Sequence, residues 1–227
     1  MFFAFFRGYF VFMNCIVTAG PTYEPLDDVR RLTNFSTGRL GTELANFLTA
    51  QGHKVTLLIG ESATYVGERR AQSVMIYSTT ADLRAKLKSF SGKKVDAIFH
   101  AAAVSDFGFG KMFTRDAAGK LKSFKPSRKI STRAGNLLVE LVPTPKIIAE
   151  LRSWFPKTRI VGWKFEAVGG RADALRAAEK QIADCVTDFC VANGPAYGKG
   201  FNLVSAGTQI HCADMKKLFS KFEIIFK

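Results

Sequence analysis

The sequence has few of the residues on which disulfide and metal frameworks depend, with four cysteines and three histidines among 227 residues. The cysteines at positions 15, 185, 190 and 212 form no CxxC pair, and no two histidines stand at the interval of zinc ligands. These absences argue against a disulfide-stapled domain and against a structural metal site. They favour a protein of the reducing cytoplasm, and they leave the identity of any metal ligand unknown.

Several motifs that define common enzyme classes are also absent. No GxGxxG fingerprint follows the first predicted strand, because Asn34 comes fourteen positions after Gly20. The chain has no Walker loop, no GxSxG elbow and no His-centred triad. An NAD(P)-dependent Rossmann oxidoreductase stays open as an alternative, but its Tyr-xxx-Lys pair is missing, since Phe201 stands four positions after Tyr197.

The only strongly apolar run before the first strand lies at the start of the chain, where six of the first twelve residues are Phe. The run is interrupted by Arg7 and Asn14, and it lacks the basic start and the small-residue cleavage site of a signal peptide. We therefore interpret residues 1–12 as an N-terminal extension, disordered or an artefact of the start site, with Met13 as an alternative start. Residues 13–227 are predicted to form a single cytoplasmic domain that does not bind a membrane.

Positive charge is in excess: Lys and Arg number 33 against 19 Asp and Glu, a net charge of +14. Between Lys111 and Phe165, thirteen basic residues face three acidic ones, so this stretch carries +10. The excess indicates an anionic partner, such as a heavily phosphorylated small molecule. A nucleic-acid or membrane-surface binder is the weaker alternative, because the charge is concentrated in one stretch and zinc-finger, homeodomain and RNA-recognition signatures are absent.

Short apolar segments alternate with amphipathic ones along most of the chain. Strands are predicted at 14–18, 54–59, 95–101, 160–165, 188–192 and 208–213. One helix is predicted to follow a hydroxyl cap at 36–37 and to end at Gly52. A second is predicted to be capped by Thr144 and Pro145 and to end before Pro156. A third is predicted over 172–184, with Leu175, Ala178 and Ile182 facing inward. This alternation predicts an α/β fold, a Rossmann-like three-layer domain with a mainly parallel sheet.

The alternation breaks between Phe107 and Val142, where Gly, Lys, Ser and Phe dominate and only one short strand, 137–142, is predicted. A basic insertion of this length predicts a flap over the ligand site, spanning about 107–142. The tail, 215–227, is left without an assigned element.

Ligands of open parallel sheets bind beyond the carboxyl ends of the strands. That edge is predicted to carry Gly20, residues 34–38, residues 101–106 and Asn193. His100 ends an inner strand and is a candidate ligand contact, whereas His53 follows a helix end and is expected at the surface. A site rich in Lys, Asn and backbone donors suits nucleotidyl or phosphoryl transfer.

Motifs along this edge resemble those of the phosphopantothenate–cysteine ligases, in the stand-alone bacterial form. Residues 18–41 read TAGPTYEPLDDVRRLTNFSTGRLG, and AAAVSDF, KIST, PTPKII, GWKFE and VAN follow in the family's order, so the resemblance spans 14–214. It implies that 4'-phosphopantothenate is joined to L-cysteine in coenzyme A biosynthesis through an acyl nucleotidylate. CTP or ATP would be consumed, pyrophosphate and NMP released, Mg²⁺ would accompany the triphosphate, and the protein would be a homodimer.

The resemblance also implies roles for individual residues. Asn34 would hydrogen-bond the acyl nucleotidylate, and Lys129 on the flap would pair with its phosphate, both as catalytic residues. Trp163, where the family usually has Phe, would pack beside the base or sugar, and Lys180 would contact the triphosphate. The nucleotide and intermediate would be bound by Gly20, Ser36, Gly38, Ala101, Ala102, Ala103, Asp106, Pro145, Lys146, Ile147, Ile148, Trp163 and Lys180.

The sequence departs from the family's pattern at three places. Gly194 stands where the family commonly has Asp, and the flap has KIST in place of the KIKK of fused enzymes. Beyond Asp214 the likeness fades, and the expected closing helix is not visible in the sequence.

Overall fold

The computed structural model describes residues 12–116, 118–125, 128–131, 133 and 135–225. The predicted N-terminal extension lies outside these residues except for Phe12. In chain order the elements are β1 (Asn14–Ala19), β2 (Tyr23–Pro25), β3 (Arg31–Thr33), α1 (Arg39–Ala50), β4 (Lys54–Gly60), β5 (Ser73–Tyr77), α2 (Thr80–Lys88), β6 (Ala97–His100), β7 (Phe107–Arg115), β8 (Leu121–Phe124), β9 (Asn136–Pro143), α3 (Ile147–Trp154), β10 (Arg159–Phe165), α4 (Arg171–Cys185), β11 (Phe189–Asn193), β12 (Phe201–Ser205), β13 (Thr208–Cys212) and α5 (Met215–Ile225).

An eight-stranded sheet in the order β13-β12-β11-β10-β6-β1-β4-β5 forms the centre of the molecule. The six strands from β11 to β5 run parallel, and β12 and β13 add an antiparallel edge. Five consecutive residues of β1 are buried, as expected for a parallel strand covered on both faces. The predicted α/β, Rossmann-like fold with a mainly parallel sheet is confirmed.

Helices cover both faces of this sheet and complete three layers. On one face, α1 and α5 pack over a core that includes Val17, Leu44 and Phe222. On the other face, α2, α3 and α4 pack over a second core that includes Ile98 and Leu151. The alternation of side chains along each strand therefore decides which helices a strand residue meets.

The inserted segment is itself a small sheet. Strands β8, β7 and β9 pair antiparallel with β7 in the middle, so the flap contains three strands where one was predicted. A second insertion, the β2–β3 hairpin, occupies part of the connection between β1 and α1. Both insertions leave the main sheet on the same edge, at the ends of β1 and β6.

Two predictions about the ends of the helices are wrong. The N-cap of α1 is Gly38, with a φ of +79°, and no side chain caps it; the Thr37 hydroxyl instead accepts a hydrogen bond from the Arg39 amide. The N-cap of α3 is Lys146, and the hydroxyl of Thr144 donates to the carbonyl of Ser105. The hydroxyl of Thr144 thus ties the flap's exit to the loop after β6.

The closing helix, which was not visible in the sequence, is present as α5. Leu218, Phe219 and Phe222 lie on one face of α5 and are buried, with the ring of Phe222 5.1 Å from that of Phe99. The motif likeness ends before this helix, but the spacing of its apolar residues still makes an amphipathic helix.

Of two side-chain predictions, the one for His53 is wrong. His53 is buried, and its Nδ1 accepts a hydrogen bond from the Met13 amide at 3.3 Å. The prediction for α4 is confirmed: Ala178 is buried, and Leu175 and Ile182 are half-buried and pack against the same core as Ala178.

Candidate ligand-binding site at the switch point of the sheet

The chain leaves β1 toward β4 on one side of the sheet and returns to β6 on the other, so the sheet's switch point lies between β1 and β6. Beyond it the two following loops are joined by hydrogen bonds. The Ala103 amide donates to the Gly20 carbonyl (2.9 Å), and the Thr22 amide donates to the Ala103 carbonyl (3.1 Å). The Thr22 hydroxyl accepts from the Ser105 amide at 2.8 Å. These bonds fix the walls of a crevice where ligands of such sheets bind.

A cavity of about 700 Å³ opens over this crevice, a size typical of small-molecule sites. Its wall includes most residues named from the motifs: Asn34, Ser36, Ala101, Ala102, Ala103, Asp106, Pro145, Lys146, Ile147, Ile148 and Trp163. It also includes His100 and Asn193, which were predicted at this edge of the sheet, and Lys164, Phe165 and Gln181, to which the sequence assigned no role. Gly20, Gly38, Lys129 and Lys180 are not part of the wall of this cavity.

Asn34 is held against the loop after β6. Its Nδ2 donates to the carbonyls of Ala103 (3.3 Å) and Val104 (3.0 Å). Two carbonyl partners identify the nitrogen of the amide, and they occupy both of its N–H groups. The side chain therefore offers the cavity an acceptor, Oδ1, rather than a donor.

Gly20 and Gly38 act through packing beneath the wall. Both have a φ of +79°, which favours glycine, and a Cβ on Gly38 would lie 3.3 Å from the Cα of Gly20. A Cβ on Gly20 would lie 2.8 Å from that of Ala63. Small residues at these two positions let the N-terminus of α1 approach the end of β1.

A buried tyrosine from β5 fixes the same place. The Tyr77 hydroxyl lies 2.7 Å from the Ala19 carbonyl and 2.8 Å from the Gly20 carbonyl, and the side chain is fully buried. Burial raises the pKa of Tyr77, so the hydroxyl keeps its proton and can donate it. No motif pointed to this residue, because its role depends on the pairing of β4 with β5.

His100 lies at the bottom of the crevice, next to Thr18 on β1. Its Nδ1 is 3.0 Å from the Thr18 hydroxyl, which also accepts a hydrogen bond from the Ala102 amide at 3.1 Å. Burial lowers the pKa of His100 to about 4, so the imidazole is neutral at physiological pH.

Two lysines provide positive charge on the cavity wall. Lys146 is the N-cap of α3, and Lys164 extends from the end of β10, where it pairs with Glu166 at 3.1 Å. Lys180 lies elsewhere: its side chain is 75% exposed and pairs with Asp184 one turn along α4. The next residue, Gln181, is the one that faces the cavity and donates to the Cys190 sulfur at 3.1 Å.

Trp163 joins the cavity to the core beneath α5. Its ring lies 6.1 Å from that of Phe222, edge to face, and its Nε1 is buried with no hydrogen-bond partner in the described part of the chain. The side chain alternates with Lys164 along β10, so the two line the cavity from opposite faces of the sheet.

Lys129 lies on the flap segment that is fastened to the β2–β3 turn. The Ile130 amide donates to Asp27 at 3.0 Å, and Arg30 donates to the Ile130 carbonyl at 2.7 Å. On the other side of Lys129, the Asp28 amide donates to the Arg128 carbonyl at 3.0 Å. The Arg30 side chain, followed by the Ile130 amide, holds the pKa of Asp27 below its usual range. The hairpin turn thus fixes the backbone on both sides of Lys129.

Carboxylates are sparse on the cavity wall, where Asp106 is exposed at the loop after β6. No group of three or more His, Cys, Asp or Glu that could hold a metal ion occurs among the described residues. A single carboxylate fits Mg²⁺ that arrives with a nucleotide, because Mg²⁺ is commonly bound by one or two carboxylates together with phosphates and water.

Within the described ranges, none of the helices combines the length and apolar character needed to cross a membrane. A mainly parallel sheet, helices on both faces and a cavity at the switch point define a Rossmann-like α/β domain with a candidate ligand site at that edge.

Comparison with known proteins identifies which such domain this is. Residues 12–222 match the family described as the DNA/pantothenate metabolism flavoprotein C-terminal domain, and the chain belongs to that family. The resemblance inferred from the motifs is thereby confirmed.

Individual relatives agree with this assignment. The chain is 34% identical over 178 residues to the coenzyme A biosynthesis bifunctional protein CoaBC of Thermococcus kodakarensis, a match covering 78% of this chain and 40% of that protein. The chain therefore spans less than half the length of this relative.

Solved structures share the fold. A DNA/pantothenate metabolism flavoprotein from Streptococcus pneumoniae superposes with a TM-score of 0.79 at 23% identity, covering 93% of this chain and 97% of that one. A Cab2 variant in complex with phosphopantothenate-cysteine superposes with a TM-score of 0.67 at 18% identity, and the match covers 94% of this chain and 85% of that chain.

Proposed function

We propose that this chain is a phosphopantothenate–cysteine ligase, joining 4'-phosphopantothenate to L-cysteine at the expense of CTP or ATP. The observation that carries the proposal is the docking of Asn34 onto the carbonyls of Ala103 and Val104, which brings two separate motifs to one crevice. Membership of the DNA/pantothenate metabolism flavoprotein C-terminal domain family supports the proposal, as does the phosphopantothenate-cysteine bound to the Cab2 variant. The four buried free cysteines fit a reaction in the reducing cytoplasm.

In the first step, a carboxylate oxygen of phosphopantothenate attacks the α-phosphorus of the nucleotide. A P–O bond forms to the acyl group, and the bond to the β-phosphate breaks to release pyrophosphate. Lys146 and Lys164 are the lysines of the cavity wall, so we assign them, rather than Lys180, to the phosphates. Their charge would offset the negative charge that grows on the phosphate oxygens.

Magnesium enters the proposal only with the nucleotide, through Asp106 on the cavity wall. The ion would supply charge neutralisation at the phosphates. Asp106 lies in the same loop as Ala103, so its carboxylate can bind the ion close to the segment that Asn34 contacts.

In the second step, the neutral amine of cysteine attacks the acyl carbon, a C–N bond forms, the C–O bond to the phosphate breaks, NMP leaves, and the nitrogen releases one proton to water. The free acceptor Oδ1 of Asn34 suits an N–H of the attacking amine. Accepting that hydrogen bond would aim the nitrogen lone pair at the acyl carbon. Trp163 forms part of the wall beside which the base or sugar would pack.

Lys129 is proposed to approach the phosphate from the flap and to act together with the lysines of the wall. The hydrogen bonds of Ile130 with Asp27 and Arg30 support this role, because they fix the backbone from which the ammonium extends. A homodimer remains a prediction, to be checked by sedimentation.

Pyrophosphate release from phosphopantothenate with CTP or with ATP, with and without cysteine, tests the proposal. Asn34→Ala should still release pyrophosphate in a first turnover but form little amide product. Lys129→Ala should lose about 100-fold or more in turnover. Lys122→Ala, an exposed flap lysine paired with Asp116, is the matched control and should keep full activity. Absence of pyrophosphate release with both nucleotides would refute the proposed activity.

A further inference from the structure

We infer that His100 binds the substrate directly, donating a hydrogen bond from its Nε2–H to an oxygen of the reacting acyl group. This inference rests on the proposed function and adds a residue to its site. No motif contains His100, yet it lies at the switch point, beside Thr18 of β1 and opposite Gly162 of β10.

The hydrogen-bond network decides which ring nitrogen carries the proton. The Thr18 hydroxyl already accepts from the Ala102 amide, and Thr18 is fully buried, so its own proton needs an acceptor. His100 Nδ1, at 3.0 Å, is the acceptor that the described residues provide. Nδ1 is therefore unprotonated, and a neutral ring carries its proton on Nε2.

Nε2 has no hydrogen-bond partner within the described part of the chain, although His100 is only 5% exposed and lines the cavity. Nε2 itself is open to the cavity, where water or a ligand oxygen can accept its hydrogen bond. The neighbouring position across the sheet is Gly162, which has no side chain; Gln181 and Ile148, both of the cavity wall, lie over it. A ligand oxygen in the crevice would complete the network.

The position of His100 favours an oxygen of the acyl group over one of the outer phosphates. His100 directly precedes the loop on whose carbonyls Asn34 rests, whereas the wall's lysines extend from the end of β10 and the start of α3. A neutral donor can polarise a carbonyl oxygen without forming an ion pair with a phosphate. His100 and Asn34 thus flank one reacting carbon, as donor and acceptor respectively.

Two substitutions separate the two ring nitrogens. The amide nitrogen of His100→Gln reaches the position of Nε2, whereas the amide of His100→Asn reaches only that of Nδ1 and still meets Thr18. His100→Asn should lower kcat/KM for phosphopantothenate by about three- to tenfold, the effect of one neutral hydrogen bond, and His100→Gln should retain most of the activity. Equal activity of His100→Asn and the wild type, equal losses in both variants, or a loss confined to the KM of the nucleotide would overturn the inference.

NMR tests the inference without turnover. The chain has three histidines, so a long-range ¹H–¹⁵N spectrum of histidine-labelled protein has few signals, and that of His100 is identified by its loss in His100→Gln. We expect a proton on Nε2 and a shift of its resonance when phosphopantothenate is added. A proton on Nδ1, or no shift at saturating phosphopantothenate, would refute the assignment. If the wild type binds phosphopantothenate with the expected shift but ligates nothing, the proposed activity fails and the assignment of His100 stands.

Discussion

The hydroxyl of Tyr77 should be one of the larger single contributions to the stability of the site, and Tyr77→Phe removes it without changing the ring. In the native protein the hydroxyl lies between the carbonyls of Ala19 and Gly20, with the side chain fully buried. The Gly20 carbonyl keeps its bond from the Ala103 amide, so the variant weakens the solvation of two buried carbonyls and leaves one with a remaining partner.

The expected cost follows from these contacts. A buried hydrogen bond contributes about 1 kcal/mol net, and a buried acceptor left without this donor adds a further penalty, so we expect about 2 kcal/mol in the free energy of unfolding. For a chain of this length that corresponds to a fall in Tm of about 4–8 °C. Because Gly20 contacts the loop of Ala103, turnover should fall as well, by a smaller factor than with Asn34→Ala.

Urea and thermal unfolding followed by circular dichroism measure the effect. The midpoint should shift while the m-value stays constant, since the surface exposed on unfolding does not change. Tyr23→Phe is the matched control, because it removes a hydroxyl that bonds Glu61 at the surface and should change the midpoint little. If Tyr77→Phe unfolds at the wild-type midpoint, the hydroxyl does not hold the end of β1 and the reasoning is wrong.

Three further predictions concern other parts of the molecule. Burial lowers the pKa of His100 from 6.5 to about 4, so the folded state should lose up to about 3 kcal/mol as the pH falls through this interval, a slope that His100→Gln should remove in acid-unfolding curves. Gly194→Ala should lower the free energy of unfolding, measured by chemical denaturation, by about 1–3 kcal/mol, because φ is +109° and a Cβ would lie 2.4 Å from the Glu166 carbonyl oxygen. Gly198→Ala is the control and should lower it less, because φ is +89° but the space around it is open. Equal losses in the two variants would contradict the clash. Asp27→Asn should lower turnover without lowering the midpoint of unfolding and should speed proteolytic cleavage of the flap; unchanged kcat would show that fastening Ile130 does not position Lys129.

Gly194 also illustrates what motif comparison leaves out. The sequence shows only that glycine replaces the family's common Asp. The structure adds a positive φ and a close approach to the Glu166 backbone, which together favour glycine in this chain. The backbone at position 194 therefore favours glycine whether or not this position contacts a nucleotide or a metal ion.

Helix α2 and strand β5 were not predicted, and both have a weak hydrophobic pattern in the sequence. Helix α2 has two buried leucines, Leu83 and Leu87, in a mostly polar segment, and β5 is exposed along most of its length. Neither segment has the apolar periodicity of α1 or β4. Their place in the fold comes from pairing with β4 and from packing against the second core, which are long-range contacts.

Local patterns in the sequence were sufficient for five of the six parallel strands, for helices α1, α3 and α4 and for the loops that meet at the sheet's edge, because periodicity and small residues act over a few positions. Which side chains reach the cavity depended on long-range packing. One step along α4 turns a side chain by about 100°, so Gln181 faces the cavity and Lys180 faces water. Likewise the proton of His100 is placed by Thr18 and Ala102, which lie on a separate strand and in the following loop, and only the folded chain brings these three groups together.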